Sequence, residues 1–225
     1  MPMPAELPPA FQGRKTARQS SEHRRIAILQ AALRVLVRDG VRGVRHRAVA
    51  AEAGVPLSAT TYYFKDIHDL LADALTLFAS DMVQTFVDPF WSRANEWVRS
   101  VPLETLAAPD KVAAIVDQMA DMGSQYILTR VSEHREQLML EHAFWYAALT
   151  DERMHGIALQ HGRRLLQSFS GVLESVGVAE VDLAAKSILM TVRGLEYEGL
   201  LGSPDFTPAK VRAALHRKIR AELAI

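Results

Sequence analysis

The 225-residue chain contains no cysteine. That excludes disulfides, thiolate metal sites and a cysteine nucleophile together, and it fits a reducing compartment. No run approaches the roughly 18 uninterrupted apolar residues that a membrane span needs. No stretch of useful length alternates apolar and polar residues as a half-buried strand would. The opening "MPMPAELPPAFQ" lacks the basic-then-apolar order of a signal peptide, and its prolines predict a flexible leader. Residues 1–20 are therefore expected to form a basic, Pro-rich arm on a cytoplasmic protein with no membrane partner. Hydrophobic residues at 49% and charged residues at 23% belong to a folded globular chain, long enough for one or two domains.

The formal net charge of zero hides an asymmetry. Between Arg14 and Lys65 eleven Lys/Arg face only three carboxylates, Glu22, Asp39 and Glu52. A basic N-terminal quarter on a balanced chain is the electrostatic footprint of a nucleic-acid-binding module, a solvated basic face being the alternative.

Helical period runs through nearly every segment. In "SSEHRRIAILQAALRVLVRDG", Ile26, Leu29, Leu33, Leu36 and Val37 recur at three- and four-residue spacing, with Ser21 as the expected cap and Gly40 as the stop. Short helices are predicted from about 45 to 53 and from about 57 to 63. Asp66 is predicted to cap a fourth, whose Leu70, Leu71, Ala74, Leu75 and Phe78 face a core until Pro89 ends it. Further helices are expected near 90–100, 109–129, 132–149, 151–176, 182–201 and 207–223. The fold class is all-α: a three-helix head over 21–66, joined through the fourth helix to a larger helical bundle over 67–225.

Within the head, "AVAAEAGVPLSATTYYF" carries two short helices around a Gly-Val-Pro turn, the sequence form of a helix-turn-helix. Ala50 is small where the helices cross, and Gly54 can take the positive φ that turns the chain. Val49, Val55 and Phe64 supply apolar anchors. Either Pro56 or Ser58 starts the second helix. That helix is too short to bury much, so its polar side chains are expected to face a groove. Ser58 and Thr61 can reach base edges or phosphates, Ala59 can touch a thymine methyl, and Tyr62 and Tyr63 can bond phosphate oxygens or pack as rim residues. Arg45, His46 and Arg47 open the preceding helix, where basic side chains favour phosphate.

The span "RHRAVAAEAGVPLSATTYYFKDIHDLLADAL" resembles the DNA-binding head of the TetR/AcrR family of bacterial transcriptional regulators. The resemblance rests on the Ala-x-x-x-Gly-Val turn, the tyrosine-Phe ending and the "DLLADAL" helix that follows. It implies that Arg47 reads a base, that Leu57, Ser58, Ala59 and Thr61 are exposed on the recognition helix, and that Tyr62 and Tyr63 contact phosphate. Arg45 stands where many members carry threonine, and Ile67 where many carry lysine. This shifts phosphate contacts toward Arg45, Lys65 and the arm residues Arg14, Lys15 and Arg18. The resemblance also implies a ligand-responsive regulator, most simply a repressor, that binds a palindromic operator on double-stranded DNA as a homodimer.

For the dimer, Leu183, Ile188, Val192, Leu195 and Leu200, with Val211, Leu215, Ile219 and Leu223, give apolar faces on the last two helices. Gly194 and Gly199 would let helices approach closely; packing within one chain is the alternative. Met119, Met122, Gln125, Tyr126, Met139, His142, Phe144, Trp145 and Tyr146 on the central helices either line a cavity for a hydrophobic effector or form plain core. No H-E-x-x-H helix, G-x-S-x-G elbow or phosphate-cradling glycine loop is present. His134 and His142 lie two helical turns apart, and Glu196 and Glu198 fall on different helix faces. No metal, cofactor or catalytic residue is expected. A helical small-molecule enzyme or carrier with an incidental basic head is the rival reading.

Overall fold

A computed structural model of the chain describes residues 19–101, 109–175 and 177–223. The leader and its arm residues Arg14, Lys15 and Arg18 lie outside the described residues. All described elements are helical: α1 Gln19–Asp39, α2 His46–Ala53, α3 Leu57–Tyr63, α4 Ile67–Met82, α5 Asp88–Ser100, α6 Pro109–Glu133, α7 Arg135–Ala148, α8 Glu152–Ser175, α9 Val181–Leu200 and α10 Pro208–Glu222. They fall into two compact units. One holds the described residues up to Val83 with Met139–His161, and the other holds Gln84–Leu138 with the residues from Gly162 onward. Residues 66 and 67 both lie within the first unit, where α4 packs along α1.

In the first unit, α1 buries Ile28, Leu29, Ala31, Ala32, Val35 and Leu36, while Ile26, Leu33 and Val37 stay half-buried. The expected stripe is thus rotated toward two alanines. Small side chains carry little weight in a hydrophobicity count, yet they are what allow α1 to run close to its neighbours. Ser21 is not a cap, since α1 already begins at Gln19; its hydroxyl instead meets the Tyr63 hydroxyl at 2.8 Å. Asp66 does cap α4, accepting from the Asp69 amide at 2.8 Å. That amide holds the Asp66 carboxyl below the usual carboxylate range, with desolvation opposing it and Arg153 adding to it. The cap's stability is complete above the ordinary aspartate pKa of about 3.9. It disappears as the pH falls through the lowered folded value. Asp66→Ala is expected to lower unfolding free energy by about 1 kcal/mol in denaturant titration, and Asp66→Asn by less.

Pro89 does not end the fourth helix. A π-helical turn over Val83–Val87 precedes it, and Pro89 sits in the first turn of α5, where a missing N–H costs nothing. Ile67–Ser100 is consequently long and apolar enough to span a membrane by composition, but 56% of its apolar window is buried in the protein, as in a core helix.

In the second unit α6 packs along α10. Val116, Ala120 and Ile127 meet Val211, Leu215 and Ile219, with Val192, Leu195 and Leu223 against the cluster. A second cluster joins Leu173 of α8 to Ala184, Ala185 and Ile188 of α9. These are most of the side chains expected at a dimer interface, and they are spent inside the chain. Gly199 also serves this packing, since a Cβ there would come within 2.8 Å of Val131 and Phe206. The outward face of α9 is different: Leu183, Met190, Tyr197 and Leu201 are 60%, 47%, 53% and 69% exposed.

Candidate nucleic-acid interface

Three ties hold the short helices α2 and α3 to the long α1 and α4. Glu52 of α2 accepts from Arg34 and Arg38 of α1, both at 2.8 Å. Tyr63 of α3 is buried, and its hydroxyl meets Ser21. Arg25 of α1 donates to Asp73 of α4 at 2.5 Å, both side chains being buried, and its guanidinium lies 5.6 Å from the Phe64 ring centre. Long-range contacts therefore fix two helices too short to be stable alone.

Between α2 and α3 the chain turns at Gly54, whose φ of 65° is left-handed. The Val55 amide returns to the Ala50 carbonyl at 3.0 Å and closes the helix end. Pro56, not Ser58, occupies the N-cap position of α3, with no side-chain capping hydrogen bond. Val49, Ala50 and Phe64 are buried and Val55 is half-buried.

The recognition-helix residues separate cleanly by face. Leu57, Ser58, Thr61 and Tyr62 are exposed, Ala59 is half-buried, and Thr60 is fully buried with its hydroxyl donating to the Leu57 carbonyl at 2.8 Å. Tyr62 and Tyr63, neighbours in sequence, point apart: Tyr62 is 57% exposed and Tyr63 only 4%. Tyr63 is thus an anchor of α3, and its ring is not offered to a phosphate.

Arg45, Arg47 and Lys65 are exposed and have no ion-pair partner among the described residues. The basic excess read from the sequence is smaller at the surface, because Arg25, Arg34 and Arg38 are consumed by Asp73, Glu52 and Asp39. His46 is half-buried in the first turn of α2. Burial lowers its pKa, against the pull of Asp66, and its Nδ1 has no hydrogen-bond partner among the described residues. The neutral imidazole is therefore favoured, which weakens His46 as a charged phosphate contact.

The residues expected to line an effector cavity do not lie in one unit. Met119, Met122, Gln125 and Tyr126 belong to the second unit, where Met119 and Tyr126 pack on the α6–α10 cluster and Gln125 is exposed. His142, Trp145 and Tyr146 belong to the first, with Met139 and Phe144. There Trp145 stacks on Phe144 at 5.6 Å and lies 5.9 Å from His161, while Tyr146 is 66% exposed.

Sequence reasoning missed an aromatic row in the second unit. Phe90 lies 5.0 Å from Trp91 and from Tyr126, and Trp91 lies 4.5 Å from Phe169. Beside them the buried Arg130 sits 4.9 Å from Phe86 and 5.8 Å from Tyr126, with Glu196 at 3.4 Å from its Nε. The signal was present in "FVDPFW" but was masked by reading Pro89 as a break. No group of three or more potential metal-ligating side chains occurs among the described residues.

An all-helical chain that carries a helix-turn-helix and a helical bundle fits a class of DNA-binding regulators by its fold. Residues 28–74 match the family described as "Bacterial regulatory proteins, tetR family", and residues 110–221 match "Tetracyclin repressor-like, C-terminal domain". The chain belongs to the TetR family. It is 29% identical over 106 residues to the HTH-type transcriptional regulator PksA of Bacillus subtilis (strain 168), a match that spans 47% of this chain and 46% of that relative's length. Among solved structures it resembles a transcriptional regulator from Rhodococcus sp. Rha1, at 24% identity, 89% and 96% coverage of the two chains and a TM-score of 0.63. The multidrug binding protein EbrR complexed with proflavin is similar in fold, at 24% identity, 87% and 99% coverage and a TM-score of 0.55.

Proposed function

We propose that the chain is a cytoplasmic, ligand-responsive transcriptional regulator, a repressor that binds a palindromic operator as a homodimer and leaves it when a hydrophobic effector binds. The observation that carries this reading is the outward array of Arg45, Arg47, Ser58, Thr61, Tyr62 and Lys65 on a scaffold that buries Val49, Ala50, Thr60, Tyr63 and Phe64. Hydroxyls and a guanidinium suit base edges, and Arg45 and Lys65 at the flanks suit phosphates.

The family supports a dimer, and the outward stripe of α9 supports where it forms. Leu183, Met190 and Tyr197 recur every seven residues, with Leu201 four further on, the spacing of a helix seam. Gly194 lies on that face with open space around it, and a groove lined by Thr191, Ala213, Ala214 and Ala221 together with the basic Lys210, Arg217 and Lys218 joins α9 to α10. A twofold dimer bound to a palindrome presents two α3 helices to half-sites about 34–36 Å apart, one turn of duplex. For the effector, the row Phe90, Trp91, Tyr126 and Phe169 supports a flat aromatic molecule, and EbrR, similar in fold, is complexed with proflavin, a flat aromatic ring system. Effector action then needs only differential affinity for the two arrangements of the heads.

Substitution separates the roles. Arg47→Ala is expected to cost about 1–3 kcal/mol in affinity and to relax base preference at one position per half-site. Arg45→Ala or Lys65→Ala is expected to weaken all sequences alike and to lower the salt slope by about one. Fluorescence titration against a set of single-base-pair variants of the bound duplex reads both. An Arg47→Ala protein with unchanged affinity and base preference would remove the base-reading role.

A further inference from the structure

The first turns of α4 and α8 are tied together reciprocally. Asp66 caps α4 and also accepts from the Arg153 guanidinium at 3.3 Å. Asp151 caps α8, accepting from the Arg153 and Met154 amides at 3.0 and 3.4 Å, and also bonds His68 Nδ1 at 2.7 Å. Each helix thus supplies a capping aspartate and, two residues later, a basic side chain that reaches the other helix's cap. Asp69 adds a third carboxylate, 3.0 Å from Arg153.

Charge explains why these residue types stand here. A helix N-terminus carries roughly half a positive charge, so two of them brought together repel unless anions lie between. Three carboxylates supply the anions, and Arg153 and His68 link them across the gap. Both caps are held in their charged form. Asp66 owes this chiefly to the Asp69 amide. For Asp151 desolvation works the other way, and His68 with the two amides outweighs it.

The position of this joint gives it a consequence for the head. Only Phe64, Lys65 and Asp66 separate α3 from α4, and Phe64 is fully buried, so the setting of α4's first turn fixes the setting of α3. On the other side, α8 runs on for 24 residues and carries His161 against Trp145 and Phe169 against Trp91. Arg153 and His68 are themselves 54% and 57% exposed. Exposed ion pairs are individually weak, so such a joint can open at small cost.

We propose that this reciprocal cap clamp holds the helix-turn-helix in register with the first turn of α8, with Arg153 as the positioning residue, and that this register serves operator binding. The operator step rests on the DNA-binding reading above, and the positioning step does not. Hydrogen exchange without DNA tests positioning. In Arg153→Gln, amides of α3 and of α4's first turn are expected to exchange about three to ten times faster, and in Arg153→Lys at nearly the wild-type rate. Adding Asp69→Asn to Arg153→Gln should produce little further change, because both act through one link.

The same proteins are then titrated with the duplex that the wild type selects from a random library. Affinity for it should fall about three- to tenfold in Arg153→Gln and recover in Arg153→Lys, with thermal midpoints close to the wild type's. Wild-type exchange rates in Arg153→Gln would overturn the clamp. So would faster exchange with unchanged duplex affinity. If exchange responds as described but the wild type selects no duplex, the clamp stands and the DNA-binding reading fails.

Discussion

Asp73→Ala is expected to destabilise the first unit by about 3–5 kcal/mol, because it strands the Arg25 guanidinium in a buried site. Arg25 and Asp73 are 2% and 0% exposed, and their pair ties α1 to α4 beneath the recognition helix. Glu22 lies 3.4 Å from Arg25, but it is 41% exposed and can compensate only in part. In a chain of this size each kcal/mol moves the melting point by roughly 2–4 °C, so a fall on the order of 10 °C is expected. Removing both charges, as Arg25→Met with Asp73→Leu, should recover most of the loss, since an apolar pair needs no desolvation to be reversed. Denaturant titration of the wild type and these two variants tests this. A loss below about 1 kcal/mol in Asp73→Ala would mean that Arg25 reaches water or another carboxylate on relaxation.

Met190→Glu combined with Tyr197→Glu is expected to turn a dimer into a monomer with little loss of fold. Both side chains lie on the outward stripe of α9, and two like charges per chain would face their copies across a twofold axis. Sedimentation equilibrium should then give the 25.0 kDa of one chain where the wild type gives twice that mass. Leu215→Ala offers the contrast. Leu215 sits in the cluster between α6 and α10, so its truncation should cost about 2–5 kcal/mol of stability and leave the mass of the folded protein unchanged. A double-glutamate variant that remains a dimer would place the interface elsewhere.

The two outcomes bear on how much of this chain could be read from its residues. The helix-turn-helix was legible because its determinants are local. Gly54 turns the chain, Ala50 permits the crossing and Asp66 caps the next helix, all within 17 residues. The face of Tyr63 was less legible, although a helix turns about 100° per residue and two adjacent tyrosines cannot share one environment. Which of them faces inward depends on Ser21, 42 residues away.

Which apolar face stays free for a partner was less legible for a similar reason. Periodicity correctly marked Val211, Leu215 and Ile219 as one side of a helix, but it could not say that α6 of the same chain covers that side. The row from Phe90 to Phe169 was legible only at its "FVDPFW" end, because its other members come from α6 and α8 and meet it only after folding. The cap clamp shows the same limit in miniature. "DIHD" and "DER" each read as a local helix start, and only the fold makes each the partner of the other.

The most direct measurement is selection of bound duplexes from a random-sequence library, followed by titration of the enriched duplex at two salt concentrations. The expected result is a palindrome whose half-sites lie about 10 base pairs apart, centre to centre. Its affinity should fall steeply with salt, by close to one log unit per log unit of salt for each phosphate neutralised. No enrichment, with weak and salt-insensitive binding, would contradict a DNA-binding role for Arg45, Arg47 and Lys65 and make the helix-turn-helix a structural motif alone.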